Sequence, residues 1–419
     1  MKFLLLNQCF YPDVVSTAQH LTDLAVELSE QGHDVTVIAS RRGYDDTELL
    51  FPKRETWKGI KIIRLPSLAL GKQAKWRRAL NFGSFLICCV FRLAVSPKFD
   101  VVVALTSPPL ISFFGALFAR LKGGRFVFWV MDLNPDEAIA AGWLKEGSLV
   151  AQGLQRLLSY SLKRAEKILV LDRFMKDRIR EKGVSEHQLA VIPPWSHTDA
   201  VQYDLEGRLA FRARYGLSDK FVVMYSGNHS PCHPLDTLLQ AAERLKDHPQ
   251  IAFCFIGGGS EYEKVRAFMK ERRLTNVLCL PYQPLDKLAA SLSAADLHVV
   301  VMGEAFKGII HPCKIYNILA VGAPFLYIGP PESHITDILS RMDFDKAAGA
   351  AKHGEVDVVV NHIVGAQRAN GNGSKAAISI ADNYSKENLL PRMLEVLESA
   401  RAAASVFDSG SSTTHTHSV

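Results

Sequence analysis

Two short apolar runs, 297–301 and 325–328, flank a glycine-bearing loop and a single helical stretch. Runs of this length and composition read as buried strands, and a helix between them lets the two lie parallel in one sheet. That unit places the chain in the α/β class. Pro312 stands at the helix start and Gly322 just past its end, the expected asymmetry of helix signals. The first amide N–H groups of such a helix lack partners within it, and Lys314 adds a positive charge in its first turn. Asn317, three residues on, falls on the same face, within reach of a sugar hydroxyl. The segment suits a diphosphate. On the plainer reading, Gly308 and Gly322 only shape turns and Lys314 is a solvated charge.

The same alternation runs through the rest of the chain. Strands are expected at 2–7, 35–40, 101–105, 125–131, 165–171 and 189–192, then at 221–226, 251–256 and 277–280, with helices between them. A chain of 419 residues exceeds one ordinary core and fits two domains of roughly 200 residues. Expected boundaries are 1–195 for the first domain, 196–218 for a linker and 219–386 for the second domain. An amphipathic helix is expected at 387–404, and 405–419 is too polar to fold. No G-x-G-x-x-G follows the first strand, which argues against a dinucleotide dehydrogenase. The seven cysteines form no C-x-x-C pair and read as reduced thiols of a cytoplasmic protein without a metal site. The first seven residues are too short for a signal-peptide core. A net charge of +6 suits an anionic substrate or a membrane surface; no nucleic-acid partner is expected. Residues 74–98 read either as a packed helix or as an interfacial helix with a basic-aromatic edge; Arg92 interrupts them too early for a membrane span.

Ligand crevices of open parallel sheets lie beyond the carboxyl ends of the strands. Asp132 and Asp136 follow the strand at 125–131, and Asp132 is the better candidate for substrate orientation or general base work. Helix capping is the plain alternative for both.

The wording P-x-K-I-Y-N-I-L-A-V-G-A-P at 312–324 resembles the donor-binding segment of family 4 glycosyltransferases, retaining enzymes of bacterial surface-polysaccharide assembly among others. Y-P-D at 11–13 with G-H-D-V-T-V at 32–37, T-S-P-P at 106–109 and D-L-N-P-D at 132–136 are similar to the same family. The resemblance implies a GT-B fold, two Rossmann-like domains facing each other across a cleft, with the helix at 387–404 crossing back onto the first domain. It implies a nucleotide-sugar donor, a hydroxyl acceptor such as a lipid-linked glycan, retention of configuration, and no cofactor or catalytic metal. Localisation would be cytoplasmic, at the inner membrane face if 74–98 touches it. The donor would lie among Gly227, Asn228, His229, His233, Gly257, Gly258, Glu304, Lys307, Gly308, Ile309, Ile310, Lys314 and Asn317. The acceptor would meet Tyr11, Asp13, Thr106, Asp132 and Asp136. Two departures stand out. Most members carry a glutamate at the Asn317 position, and an arginine and a lysine where this chain has Asn228, His229 and His233. Lys314, helix N-termini and a protonated His229 or His233 are the expected substitutes for that cationic pair. Two rivals are a nucleotide-sugar epimerase of the same fold and a non-catalytic nucleotide-sugar-binding subunit.

Overall fold

The computed structural model describes residues 1–44, 46, 48–71, 75–196, 201–342, 348–369 and 380–399. Its first half contains β1 (Lys2–Leu6), α1 (Ser16–Glu30), β2 (Asp34–Ser40), β3 (Arg54–Trp57), β4 (Ile60–Leu65), α2 (Lys75–Ala94), β5 (Val101–Ala104) and α3 (Ile111–Lys122). There follow β6 (Arg125–Trp129), α4 (Asp136–Ala140), α5 (Leu149–Arg164), β7 (Lys167–Val170), α6 (Arg173–Glu181) and β8 (Leu189–Val191). These eight strands form one sheet in the order β3-β4-β2-β1-β5-β6-β7-β8, parallel throughout except at β3. The second half contains α7 (Leu205–Arg214), β9 (Phe221–Asn228), α8 (Asp236–Arg244), β10 (Ile251–Gly258), α9 (Tyr262–Glu271), β11 (Val277–Leu280), α10 (Leu288–Ser293) and β12 (Leu297–Val301). It ends with α11 (Lys314–Ala320), β13 (Phe325–Ile328), α12 (His334–Leu339), β14 (Ala348–Ala351), α13 (Val356–Arg368) and α14 (Lys386–Ser399). Its six strands run β11-β10-β9-β12-β13-β14, all parallel.

Helices cover both faces of both sheets, so the central strands are buried on each side and read as continuous apolar runs. β5 (VVVA) and β12 (LHVVV) are buried at every position. The topology aligns the carboxyl ends of β1, β5 and β6 in one sheet and of β9, β10 and β12 in the other.

The β3–β4 hairpin is absent from the sequence reading. It turns at Lys58 and Gly59, whose φ of 47° and 77° make a two-residue turn that matches the twist of paired strands. α7, expected in a linker, docks on the second domain, where Asp296 accepts from Arg212 at 3.0 Å and also pairs with Arg208. The chain crosses between the sheets twice, and the crossings lie together: Ser196 N–H donates to Tyr384 O at 2.8 Å. α14 then lays Leu389, Met393 and Leu397 into the core shared with the first sheet, and Glu398 reaches His33 at 3.2 Å. The expected end of this helix, 400–404, and the tail 405–419 lie outside the described residues.

A polar clasp joins the domains. Asp172, the N-cap of α6, accepts from Met175 N–H at 2.7 Å through one oxygen and faces His311 Nδ1 at 2.7 Å through the other. His311 Nε2 lies 2.6 Å from the Tyr316 hydroxyl. Next to it, Arg173 donates twice to Asp337, at 2.7 and 2.9 Å. Burial alone would raise the Asp172 carboxyl, but the His311 hydrogen bond and charge bring it down to about 2. A lowered carboxylate contributes stability above its ordinary value near 4 and loses it as pH falls towards 2. We expect Asp172→Ala to cost about 3–5 kcal/mol in urea unfolding at pH 7, because it leaves a buried partner uncompensated. The difference from the wild type should shrink below pH 4; an unchanged midpoint at pH 7 would show that the clasp adds nothing to the stability of the fold.

Candidate active site

On the first sheet, the loop after β6 carries Asp132, whose backbone N–H donates to Thr106 Oγ1 at the end of β5, 3.4 Å away. One turn on, Glu137 accepts from Asn134 Nδ2 at 3.0 Å. Burial, then the neighbouring Glu137 charge, raise the Asp132 carboxyl to about 8. Burial raises Glu137 as well, against the Asn134 hydrogen bond and the Arg78 charge. The two carboxyl groups therefore hold a proton into the neutral range. Across the cleft stand the thiols of Cys232 and Cys313, each pushed up to about 12, Cys232 by burial and then the Glu137 charge, Cys313 by burial and then the Asp132 charge.

On the second sheet, Lys314 opens α11. The side chain retains some exposure, but its Nζ is enclosed and makes no hydrogen bond to the described residues. It lies 3.6 Å from the centre of the Tyr225 ring. Burial lowers its pKa from 10.5 to about 7. Gly227 keeps the space beside it open: a Cβ there would stand 3.2 Å from Nζ, and the φ of 134° excludes most side chains. Opposite it, a Cβ on Gly257 would lie 2.0 Å from Gly227 O, so these two strand ends run closer together than any other residue permits.

α11 begins two residues later than expected and spans only seven residues. The lead-in is a tight turn, with Tyr316 N–H bonded to Cys313 O at 3.1 Å. A helix this short adds little dipole, so the anion site rests on the Lys314 side chain.

The expectation of a protonated histidine is corrected. His229 Nδ1 bonds to Gly227 O at 3.0 Å, and burial, then the Lys314 charge, lower its pKa to about 4. His233 Nδ1 bonds to Val301 O at 2.7 Å, and the same two causes bring it to about 3. Both rings are neutral at pH 7. A carbonyl can only accept, so each Nδ1 carries the proton and each Nε2 presents a lone pair.

The other predicted residues divide by position. Asn228 and Gly258 stand at the paired ends of β9 and β10. Gly308 to Ile310 form the contact with the first domain: Leu133 N–H donates to Ile309 O at 2.9 Å, and a Cβ on Gly308 would meet Phe174 O at 2.6 Å. Asn317 is half-buried on α11. Lys307 pairs with Glu332 at 2.6 Å, and Glu304 is exposed on the same loop. Tyr11 stacks on Trp57 at 4.0 Å, and Asp13 accepts from Tyr44 N–H at 2.9 Å, both beyond the end of β1. Asp136 is engaged elsewhere, held by Lys182 at 2.9 Å and by Gln155 at 3.0 Å.

Glu137 and Cys232 were not singled out from sequence; only Glu137's place one turn after Asp132 hinted at its role. Asp172, His311 and His334 also escaped notice, although their ligand atoms lie within 4.8 Å of one another. The two rings stack at 3.6 Å with planes 19° apart. An ion in the plane of one ring would sit outside the plane of the other, so their lone pairs do not converge on a single metal.

Residues 17–195 match the model of the glycosyl transferase 4-like domain, and residues 208–313 match that of glycosyl transferases group 1. A protein of Escherichia coli (strain K12), WcaI, named as a colanic acid biosynthesis glycosyl transferase, is 27% identical over 335 residues, covering 77% of this chain and 82% of that one. The structure of sucrose-phosphate synthase from Thermosynechococcus elongatus superposes with a TM-score of 0.74 at 14% identity, covering 96% of this chain and 100% of that one. HepE from Anabaena, solved with UDP-glucose, gives 0.71 at 15% identity, covering 95% and 100%. The chain belongs to the family 4-like glycosyltransferases, and its two facing sheets are the two halves of a GT-B fold.

Proposed function

We propose that this glycosyltransferase moves a sugar from a nucleotide-sugar to a hydroxyl of a lipid-linked glycan, with retention and without a catalytic metal. The observation that carries the reading is the enclosed Lys314 ammonium, which has no hydrogen-bond acceptor and lies beside the open Gly227 backbone. An unpaired buried cation is costly, and a diphosphate supplies the missing charge. The complex of HepE with UDP-glucose supports the donor class, and the name of WcaI places a relative in colanic acid biosynthesis. With the diphosphate on Lys314 and the acceptor beside Asp132, the hydroxyl enters on the face from which the diphosphate leaves. Entry on that face is the route to retention that needs no enzymic nucleophile. Neutral His229 offers Nε2 as an acceptor for a sugar hydroxyl rather than as a phosphate donor. UDP, GDP and their sugars titrated calorimetrically test the donor; a rate that collapses with EDTA would refute metal independence. Release of an epimerised free sugar without acceptor would favour the epimerase reading.

We infer that the protein also rests on the membrane through α2. Phe85, Cys89 and Leu93 are buried on one face, whereas Trp76, Leu80, Ile87 and Phe91 form a second apolar stripe that is exposed, with Arg77 among them. An exposed apolar stripe beside basic side chains suits an anionic interface. Among the described residues no helix is long and apolar enough to cross a membrane. We expect the double substitution Trp76→Ser, Phe91→Ser to weaken co-sedimentation with anionic vesicles at least a hundredfold, since each buried ring contributes about 1.5–3 kcal/mol and about 1.4 kcal/mol is a factor of ten. Equal sedimentation of the two proteins would dismiss this contact.

A further inference from the structure

A half-open cavity of about 110 Å³ lies between α3, α4 and α5, under the ends of β5 and β6. Leu110, Phe113, Phe128, Leu154, Leu157 and Leu158 supply most of its wall. The polar groups on the wall are already bonded to the protein. Ser112 donates to Ser161 at 3.2 Å, Thr106 accepts from Asp132 N–H, and Asn134 donates to Glu137. An occupant is therefore recognised by apolar contact rather than by hydrogen bonds.

The cavity has a path to the surface. Val150, Leu154, Leu157 and Leu158 recur at helical spacing along one face of α5. Exposure falls along this stripe from 62% at Val150 to 5% at Leu158 inside the cavity. Leu149, 86% exposed, extends the apolar surface at the mouth. Leu110, at the head of α3, is held at a φ of 75°, a conformation unfavourable for leucine, in the wall of this cavity.

We propose that the cavity and the α5 stripe bind the hydrocarbon chain of the acceptor, prenyl or alkyl, at the end nearest its head group, with the glycan extending from there into the cleft. This rests on the transferase reading above. Continuity with the carboxyl pair selects that occupant over an unrelated apolar molecule. Thr106 and Asn134 line the cavity; Thr106 accepts from the Asp132 backbone N–H and Asn134 donates to the Glu137 carboxyl, so the head group of a chain seated there enters the cleft on the side of the carboxyl pair. An apolar cavity of 150 Å³ accepts benzene, so this one takes about one five-carbon unit, and the rest of the chain follows the stripe.

The test titrates the full-length protein with butyl phosphate and geranyl phosphate, both below micelle-forming concentration, and with UDP and GDP. Geranyl phosphate should bind at least tenfold more tightly than butyl phosphate. Ala138→Leu, which fills the cavity, should reduce that gap to less than threefold and leave nucleotide binding unchanged. Leu154→Asp at the mouth gives the same readout should the first variant fail to fold by circular dichroism. Equal binding of the two phosphates, or a gap that either folded variant leaves intact, overturns the chain site. Nucleotide binding without chain discrimination sinks this proposal alone. Chain discrimination with no nucleotide binding sinks the donor reading and, with it, the identification of the occupant as the acceptor.

Discussion

Lys314→Ala lowers donor affinity and turnover at least tenfold. A hydrogen bond to a charged group contributes about 1.5–3 kcal/mol, and here it is made in an enclosed site with no second lysine or arginine on the 227–234 loop. Lys314→Met keeps the bulk over Tyr225 and should lose as much, which separates charge from packing. The pH dependence is more specific. Burial brings the lysine down to about 7, so in the free protein the ammonium is titrating near neutrality. A bound diphosphate favours the charged form, so binding takes up a proton above pH 7. Donor affinity should be flat below pH 7 and weaken by up to tenfold per pH unit above it, and Lys314→Met should show no such slope. Stability moves the other way. A lysine whose folded pKa lies below its unfolded value destabilises the fold fully below pH 7, and the cost fades as pH rises to about 10.5. Lys314→Met should therefore melt higher than the wild type at pH 6 while binding donor less well. Calorimetric titration and thermal melts across pH 6–9 read both effects. Unchanged kinetics in both variants would take Lys314 out of the site.

Lys314 was legible from sequence because a strand, a loop and a helix start fix where a first-turn side chain must lie. The runs at 297–301 and 325–328 became β12 and β13 at those same bounds. β14, Ala-Gly-Ala-Ala, has no apolar alternation to reveal it; it is a strand because β13 offers an open edge and α12 and α13 cover it. The charge state of His229 and His233 could not be read from spacing. It depends on carbonyl partners at Gly227 and Val301 and on burial beside a cation, which only the folded loop assembles. The same holds across the cleft. Glu137 and Cys232 are 95 residues apart in the chain, yet their side chains come within 4.0 Å. Sequence pattern carries the strand positions of each half well and the contacts between the two halves hardly at all, because those contacts follow no period.

Asp132→Asn is expected to lower kcat by about 10²–10³ while leaving the donor dissociation constant within twofold, since the role proposed for the carboxyl is on the acceptor side of the cleft. Its rate profile should carry the signature of a buried pair. Burial and the Glu137 charge raise Asp132, so its base form appears only as pH rises towards 8. The acceptor kcat/KM of the wild type should therefore climb through the neutral range, and Asp132→Asn should flatten the climb. Glu137→Gln supplies the discriminating arm. Removing the second carboxyl charge lowers Asp132, so the rising limb should move to lower pH even though Glu137 is not the base. A limb that stays in place in Glu137→Gln, or that persists in Asp132→Asn, assigns it to another group. The stability readout is independent of turnover. A carboxyl raised in the folded state is unfavourable at every pH above its unfolded value near 4, so Asp132→Asn should melt higher than the wild type at pH 7. Lost turnover together with gained stability marks a residue held in a strained charge state for its chemistry, and a structural helix cap would lose both.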